Sequence, residues 1–199
     1  MAETHFFVID SETVRDPRVP PPVRENGSEG FPSPVGWQVV AISFVAGTIT
    51  GRPGQERYTL RHAGSVGDPQ ADEPELLSRF WRFFGKSKPE LKTWGGRRFD
   101  MPMLKVRSLV NGVPFPAWYR SGASRYENYD HRYAVRWHDD LMDILSDHGA
   151  APPMKLDDVA RAVGLPGKIE SHGSEVADLI AQGDRETVRR YCDGDCMNL

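Results

Sequence analysis

Cysteine is nearly absent. Only Cys192 and Cys196 occur in 199 residues, four apart near the end of the sequence. Two thiols give no disulfide framework and too few ligands for a structural zinc site, so a stapled mini-domain and a zinc finger are both excluded. Their spacing predicts two ordinary thiols on one helix. Long apolar runs are missing too. The longest, Val39 to Gly47, contains Ser43 and falls far short of the ~20 residues that span a bilayer. The opening MAETHFFVID carries an early acid and no basic segment ahead of a long apolar core, so it does not read as a secretory leader. The expectation is a cytoplasmic protein without membrane contact. No Gly-x-x-x-x-Gly-Lys-Ser/Thr occurs, which argues against nucleoside triphosphate hydrolysis on a phosphate loop. There is no internal repeat.

What is present is a globular composition, 39% hydrophobic and 27% charged, with 19 glycines and 16 prolines that imply a heavy loop load. The length suits one domain over residues 1–199. The sequence ends four residues after Asp195; if Leu199 is a boundary, the last helix continues beyond it. Net charge is only −3, but it is unevenly spread. Residues 1–96 carry 11 basic and 12 acidic groups, residues 97–137 carry 8 and 3, and residues 138–199 carry 6 and 13. Either the basic middle tracks phosphate beside a cluster of carboxylates, or the two regions attract each other within the fold.

His5 to Ile9 is aromatic and β-branched, too short for a helix, and followed by Asp10 and Glu12 at its exit. Residues 17–34 hold six prolines and read as a long surface loop. Strands are predicted at 37–45 and 56–61, making an antiparallel meander with the first. Asp72 can cap a helix in which Leu77, Phe80, Trp81 and Phe84 share one face. A short strand at 91–94, a Gly95-Gly96 turn and a helix over 101–110 follow. Residues 131–137 are a candidate strand, and helices are predicted at 140–147, 155–163, 174–181 and 184–198. The sum is an α/β domain with a mixed sheet flanked by helices.

Three acidic pieces stand out. Asp10-Ser11-Glu12 would point two carboxylates to one side of a strand, where they repel unless a cation lies between them. Phe99-Asp100 opens the helix after the glycine turn, where Asp100 is a candidate N-cap. Tyr191 and Asp195, four apart, are neighbours on one helical face. Singly, each has an ordinary reading as solvated acids, a cap or a surface pair. In the order D-x-E, F-D, Y-x-x-x-D, the sequence resembles the DEDD family of 3′–5′ exonucleases. It looks most like free-standing bacterial and phage enzymes related to the proofreading domain of family-B DNA polymerases. The resemblance extends through Trp137 to Asp143, Lys155 to Ala160 and Gly164 to Lys168.

That resemblance implies a ribonuclease-H-like fold in which Asp10, Glu12, Asp100 and Asp195 hold two divalent cations, Mg²⁺ or Mn²⁺. Tyr191 would position the attacking water. The subfamily that uses His five residues before the last Asp is disfavoured, because Arg190 stands there. Gly95 replaces an Asn frequent in the family, and Asp193 replaces a Glu. Two ions ~3.5–4 Å apart suit the reaction, since they can acidify a water and neutralise charge on the leaving oxygen. Hard oxygen ligands favour these metals. The expected substrate is the 3′ end of single-stranded DNA or RNA, with Arg97, Arg98, Phe99, Arg132, Arg136 and Lys168 as nucleic-acid contacts. Aromatics and arginines interleaved over 113–137 suit stacking on bases, although some of these rings would cover the core. His138, Asp139, Asp140 and Asp143 read as helix capping beside the site rather than as a second metal centre. The alternative function is a catalytically silent nucleic-acid-binding or protein-interaction module on the same fold.

Overall fold

A computed structural model describes residues 3–119, 122–167 and 175–199. At its centre is β1 (Thr4–Arg15), antiparallel to β2 (Trp37–Thr50), which in turn pairs with β3 (Arg57–Ser65). On its other side β1 runs parallel to β4 (Glu90–Thr93), and β4 to β5 (His138–Asp140). The order is β3-β2-β1-β4-β5. The expected meander and mixed sheet both form.

β1 outlasts the apolar run that announces it. Its pairing with β2 continues to Arg15, opposite Trp37, with a bulge between Glu12 and Thr13. Asp10 and Glu12 therefore lie inside the central strand, not at its exit, and the irregularity falls beside Glu12, where bulges re-aim side chains. The candidate strand at 131–137 is replaced by turns, because Ala134 accepts from the amides of Trp137 and His138 and those donors are lost to a ladder. The three residues after it supply β5.

Alternation along β1 sorts the helices into two layers. Phe7 and Ile9 join Leu77, Phe80, Trp81 and Phe84 of α1 (Glu73–Ser87) and Met101, Met103 and Leu104 of α2 (Asp100–Val110) in the main core. Phe6 and Val8 face the opposite way, onto Cys196 of α6 (Arg185–Asn198). Cys192 and Val188 of the same helix meet Ala41 of β2 and Val176 of α5 (Val176–Ala181). α3 (Leu141–Leu145) lies against β4 and β5, and α4 (Leu156–Ala162) against α6. As the sequence predicts, Asp72 caps α1, accepting from the Glu75 amide. Residues 17–34 form a loop with one isolated bridge, Val23 to Glu29.

One member of the basic middle segment is structural. Arg107 has no exposed surface, and its guanidinium donates to Asp16 at 2.8 Å, to Glu73 at 2.7 and 2.6 Å, and to the Val35 carbonyl at 3.1 Å. It ties α2 to α1 and to the loop that leaves β1. The two carboxylates satisfy a charge that burial alone would make costly.

Candidate active site

Two faces of one strand begin the site. Ser11 points to the α2 side, where its hydroxyl donates to Asp100 Oδ1 at 2.5 Å. Asp10 and Glu12 point to the α6 side, where one oxygen of each and the Cys192 sulfur all lie within 4.8 Å of one another. Cys192 donates to Asp10 Oδ2 across 3.7 Å. Asp195 lies three residues further along α6 and is buried. Burial first, then Asp10, Asp193, Asp100 and Asp195, push the Cys196 thiol well above its usual value, so these acids project their fields onto one point of α6. Burial, with Asp10, Cys196 and Glu12, does the same to Cys192. Both cysteines are neutral thiols on one helix, as their spacing predicts.

Asp100 is the first residue of α2, and the cap position belongs to Phe99. Its carboxylate is engaged by Ser11 instead of capping the helix. Burial pushes it up to about 6, against the opposing hydrogen bond from Ser11. The turn that carries it is clamped from below. Asp140 accepts from the amides of Gly95 at 2.8 Å and Arg97 at 2.9 Å while capping α3 through the Asp143 amide. Gly95 adopts φ +72°, a region open to glycine and tolerated by asparagine, which explains how either residue serves there. At Gly96 a Cβ would stand 2.6 Å from that of Thr93, so only glycine fits. The capping role expected for Asp140 thus holds, while His138 is a strand residue bonded to Thr93 at 2.9 Å and kept neutral by burial.

Tyr191 is half-buried, and its ring packs against the Ala41, Val176 and Val188 cluster. Asp193 accepts from Ser65 at 2.8 Å, fastening α6 to the end of β3.

The expected nucleic-acid contacts divide. Phe99 meets Trp37 and the exposed Phe31 edge-on, with ring centres 5.9 and 6.0 Å apart. Arg97 donates to the carbonyls of Tyr129, His131 and His138. Arg98 is exposed and hydrogen-bonds to no described side chain. Arg132 forms a two-pronged pair with Asp143 at 2.9 and 2.5 Å, the internal pairing that the charge gradient also allowed. Arg136 is exposed, with no ion pair among the described residues, and Lys168 lies outside them. Of the interleaved aromatics, Trp118 and Tyr129 are core, whereas Tyr119, Tyr126 and Tyr133 are exposed.

Sequence reasoning missed Ser11, Cys192 and Phe31, and the clamping role of Asp140. Only Ser11 carried a signal, its place between the two acids.

The residues fit divalent cations. Asp10 and Glu12 are hard oxygen donors held close together, with buried Asp195 on the adjoining helix, and a cation relieves the repulsion between such carboxylates. A mixed five-stranded sheet flanked by helices, with acids gathered at its central strand, defines the ribonuclease-H-like class to which polymerase exonuclease domains belong.

Comparison of sequences identifies the family. Residues 31–199 match the model described as "predicted 3'-5' exonuclease related to the exonuclease domain of PolB", and the chain belongs to that family. The match spans Asp100, Tyr191 and Asp195 but not Asp10 and Glu12, whose place beside α6 comes from the tertiary structure. No curated protein matches the sequence. Among solved structures, the family B DNA polymerase from the hyperthermophilic archaeon Pyrobaculum calidifontis is similar, at 19% identity and a TM-score of 0.60. The likeness covers 98% of this chain and 24% of the polymerase, and at that identity it is one of fold.

Proposed function

We propose that the protein is a metal-dependent 3′–5′ exonuclease acting on single-stranded nucleic acid, DNA by preference, and releasing nucleoside 5′-monophosphates. The close pairing of Asp10 and Glu12 beside α6, the helix that also carries buried Asp195, supports this reading, because like charges held that near repel unless a cation lies between them. Asp10, Glu12, Asp100 and Asp195 would hold two Mg²⁺ or Mn²⁺ ions. Bound there, the ions supply an acidified water and neutralise charge on the leaving 3′ oxygen. The chain's own contribution is orientation. Ser11 fixes the Asp100 carboxylate, Asp140 fixes the turn beneath it, and α6 presents Tyr191 one helical turn before Asp195. A phenol titrates near 10, so at neutral pH Tyr191 would orient the water by hydrogen bond rather than take its proton. Phe99 and Phe31 offer ring faces to the terminal bases, at about 1–3 kcal/mol per stacked base. Two buried free thiols suit a reducing cytoplasm, and no helix among the described residues is long and apolar enough to cross a membrane.

Digestion of end-labelled linear DNA and RNA, single- and double-stranded, with Mg²⁺, Mn²⁺ or chelator tests this reading. Shortening from the 3′ end that stops with chelator is expected, and circular single strands should resist. Nicking of the circle, or no hydrolysis with either ion, refutes it.

A further inference from the structure

A pocket of 330 Å³ opens beside the turn that carries Asp100, lined by Arg97, Arg98, Arg132 and Asp143. Three guanidinium groups face one carboxylate, an excess of two positive charges. The carboxylate is already engaged. Hydrogen bonds from Arg132 hold Asp143 down at about 2, and His148 Nδ1 lies 3.2 Å from Oδ2, the oxygen that also accepts from Arg132 Nε. Arg97 is fixed by three backbone carbonyls, which set its direction but do not cancel its charge. Burial holds its guanidinium below the usual value even though Asp140 and Asp143 pull the other way. Arg98 is exposed at the pocket's edge, with none of its side-chain donors given to a described residue.

Backbone strain sits at the same place. Asp147 and His148 adopt φ +49° and +56°, followed by Gly149 at +98°, so two non-glycine residues in succession occupy the left-handed region. Such conformations persist only when surrounding contacts hold them, and they gather at functional sites. Here the contacts lead to the pocket: the His148 carbonyl accepts from Arg132 at 3.0 Å, and the ring meets Tyr133 edge-on at 4.7 Å. A Cβ on Gly149 would stand 3.8 Å from the Arg98 guanidinium.

We propose that this pocket binds a phosphate group, with Arg98 as the contacting residue, Arg97 as a fixed charge behind it, and Arg132 held in position by Asp143 and the strained turn. The planar fork of arginine matches phosphate oxygens, and three guanidinium groups against one carboxylate in the lining favour an anion there. The volume leaves room for the attached sugar. The site rests on the exonuclease reading for its ligand, which is either a backbone phosphate of the bound strand or the phosphate of a free nucleoside 5′-monophosphate.

Binding measured in chelator, where hydrolysis cannot occur, separates the two sources. The probes are fluorescent oligothymidylate, thymidine 5′-monophosphate and thymidine, each tested on the wild type and Arg98→Gln. If the strand fills the pocket, Arg98→Gln weakens oligothymidylate severalfold and flattens its salt slope by about 0.7, the share of one phosphate. If the free nucleotide fills it, calorimetry shows the monophosphate binding to the wild type and not to Arg98→Gln, while thymidine binds neither. Melting temperature should be unchanged in the variant, because Arg98 supports no other described residue. Wild-type affinity and slope for both phosphate probes in Arg98→Gln overturn the pocket, as does failure of the wild type to bind either. Binding through Arg98 without Mn²⁺-dependent hydrolysis would instead overturn the exonuclease reading and leave the pocket standing.

Discussion

Replacing Asp100 with asparagine should stabilise the metal-free protein, and the gain should grow with pH. Burial, opposed by the Ser11 hydrogen bond, raises this carboxyl from its ordinary 3.8 to about 6. A carboxyl held above its unfolded value binds its proton more tightly in the native state. Asp100 therefore imposes no penalty below pH 3.8; the penalty develops between there and about 6 and is complete above. Two pH units at 1.36 kcal/mol each give about 3 kcal/mol. For a domain of this size that is a rise of about 6–12 °C in Tm. Asparagine keeps an oxygen to accept from Ser11, so the variant removes charge and little else. Urea denaturation in chelator at pH 4.5 and pH 8 reads the effect, with about 3 kcal/mol expected at the higher pH and under about 1 kcal/mol at the lower. If Asp100 holds a cation as proposed, excess Mn²⁺ should reverse the order of stabilities, because only the wild type would keep that ligand. A variant less stable than wild type at pH 8 in chelator, or equally improved at both pH values, would refute the reasoning.

Tyr191→Phe should lower turnover by about 10²-fold while leaving manganese affinity by calorimetry close to wild type; a loss of affinity as sharp as that of Asp195→Ala would show Tyr191 to be part of the metal site. Arg107→Leu strips Asp16 and Glu73 of their shared guanidinium and should cost about 3–5 kcal/mol in urea denaturation at pH 7. A loss below about 1 kcal/mol would mean that the buried network is dispensable. Neither cysteine should react with a thiol reagent in the native protein, and both should react in urea, because burial and neighbouring carboxylates keep them protonated. Rapid labelling of native Cys192 would contradict its burial where α6 packs on β2.

Features legible from the residues alone were either local or fixed by order. The run from His5 to Ile9 specified a strand, Asp72 a helix start, and Leu77, Phe80, Trp81 and Phe84 a buried helical face, because each pattern is complete within a few residues. The candidate acids were legible for a different reason: their order and short spacings are read directly along the primary structure. The tertiary structure decided which partner each charge takes. Ser11 meets Asp100 across 89 residues and Ser65 meets Asp193 across 128, separations over which no periodicity extends. Arg107 and Arg132 belonged to one basic segment in the sequence, yet Arg107 is sealed against Asp16 and Glu73 and Arg132 is locked to Asp143, while Arg98 is exposed with no ion pair among the described residues. Composition fixes how many charges a segment carries. Only packing, which removes some of them from water and leaves others in it, fixes which must be neutralised within the protein and which remain available to bind.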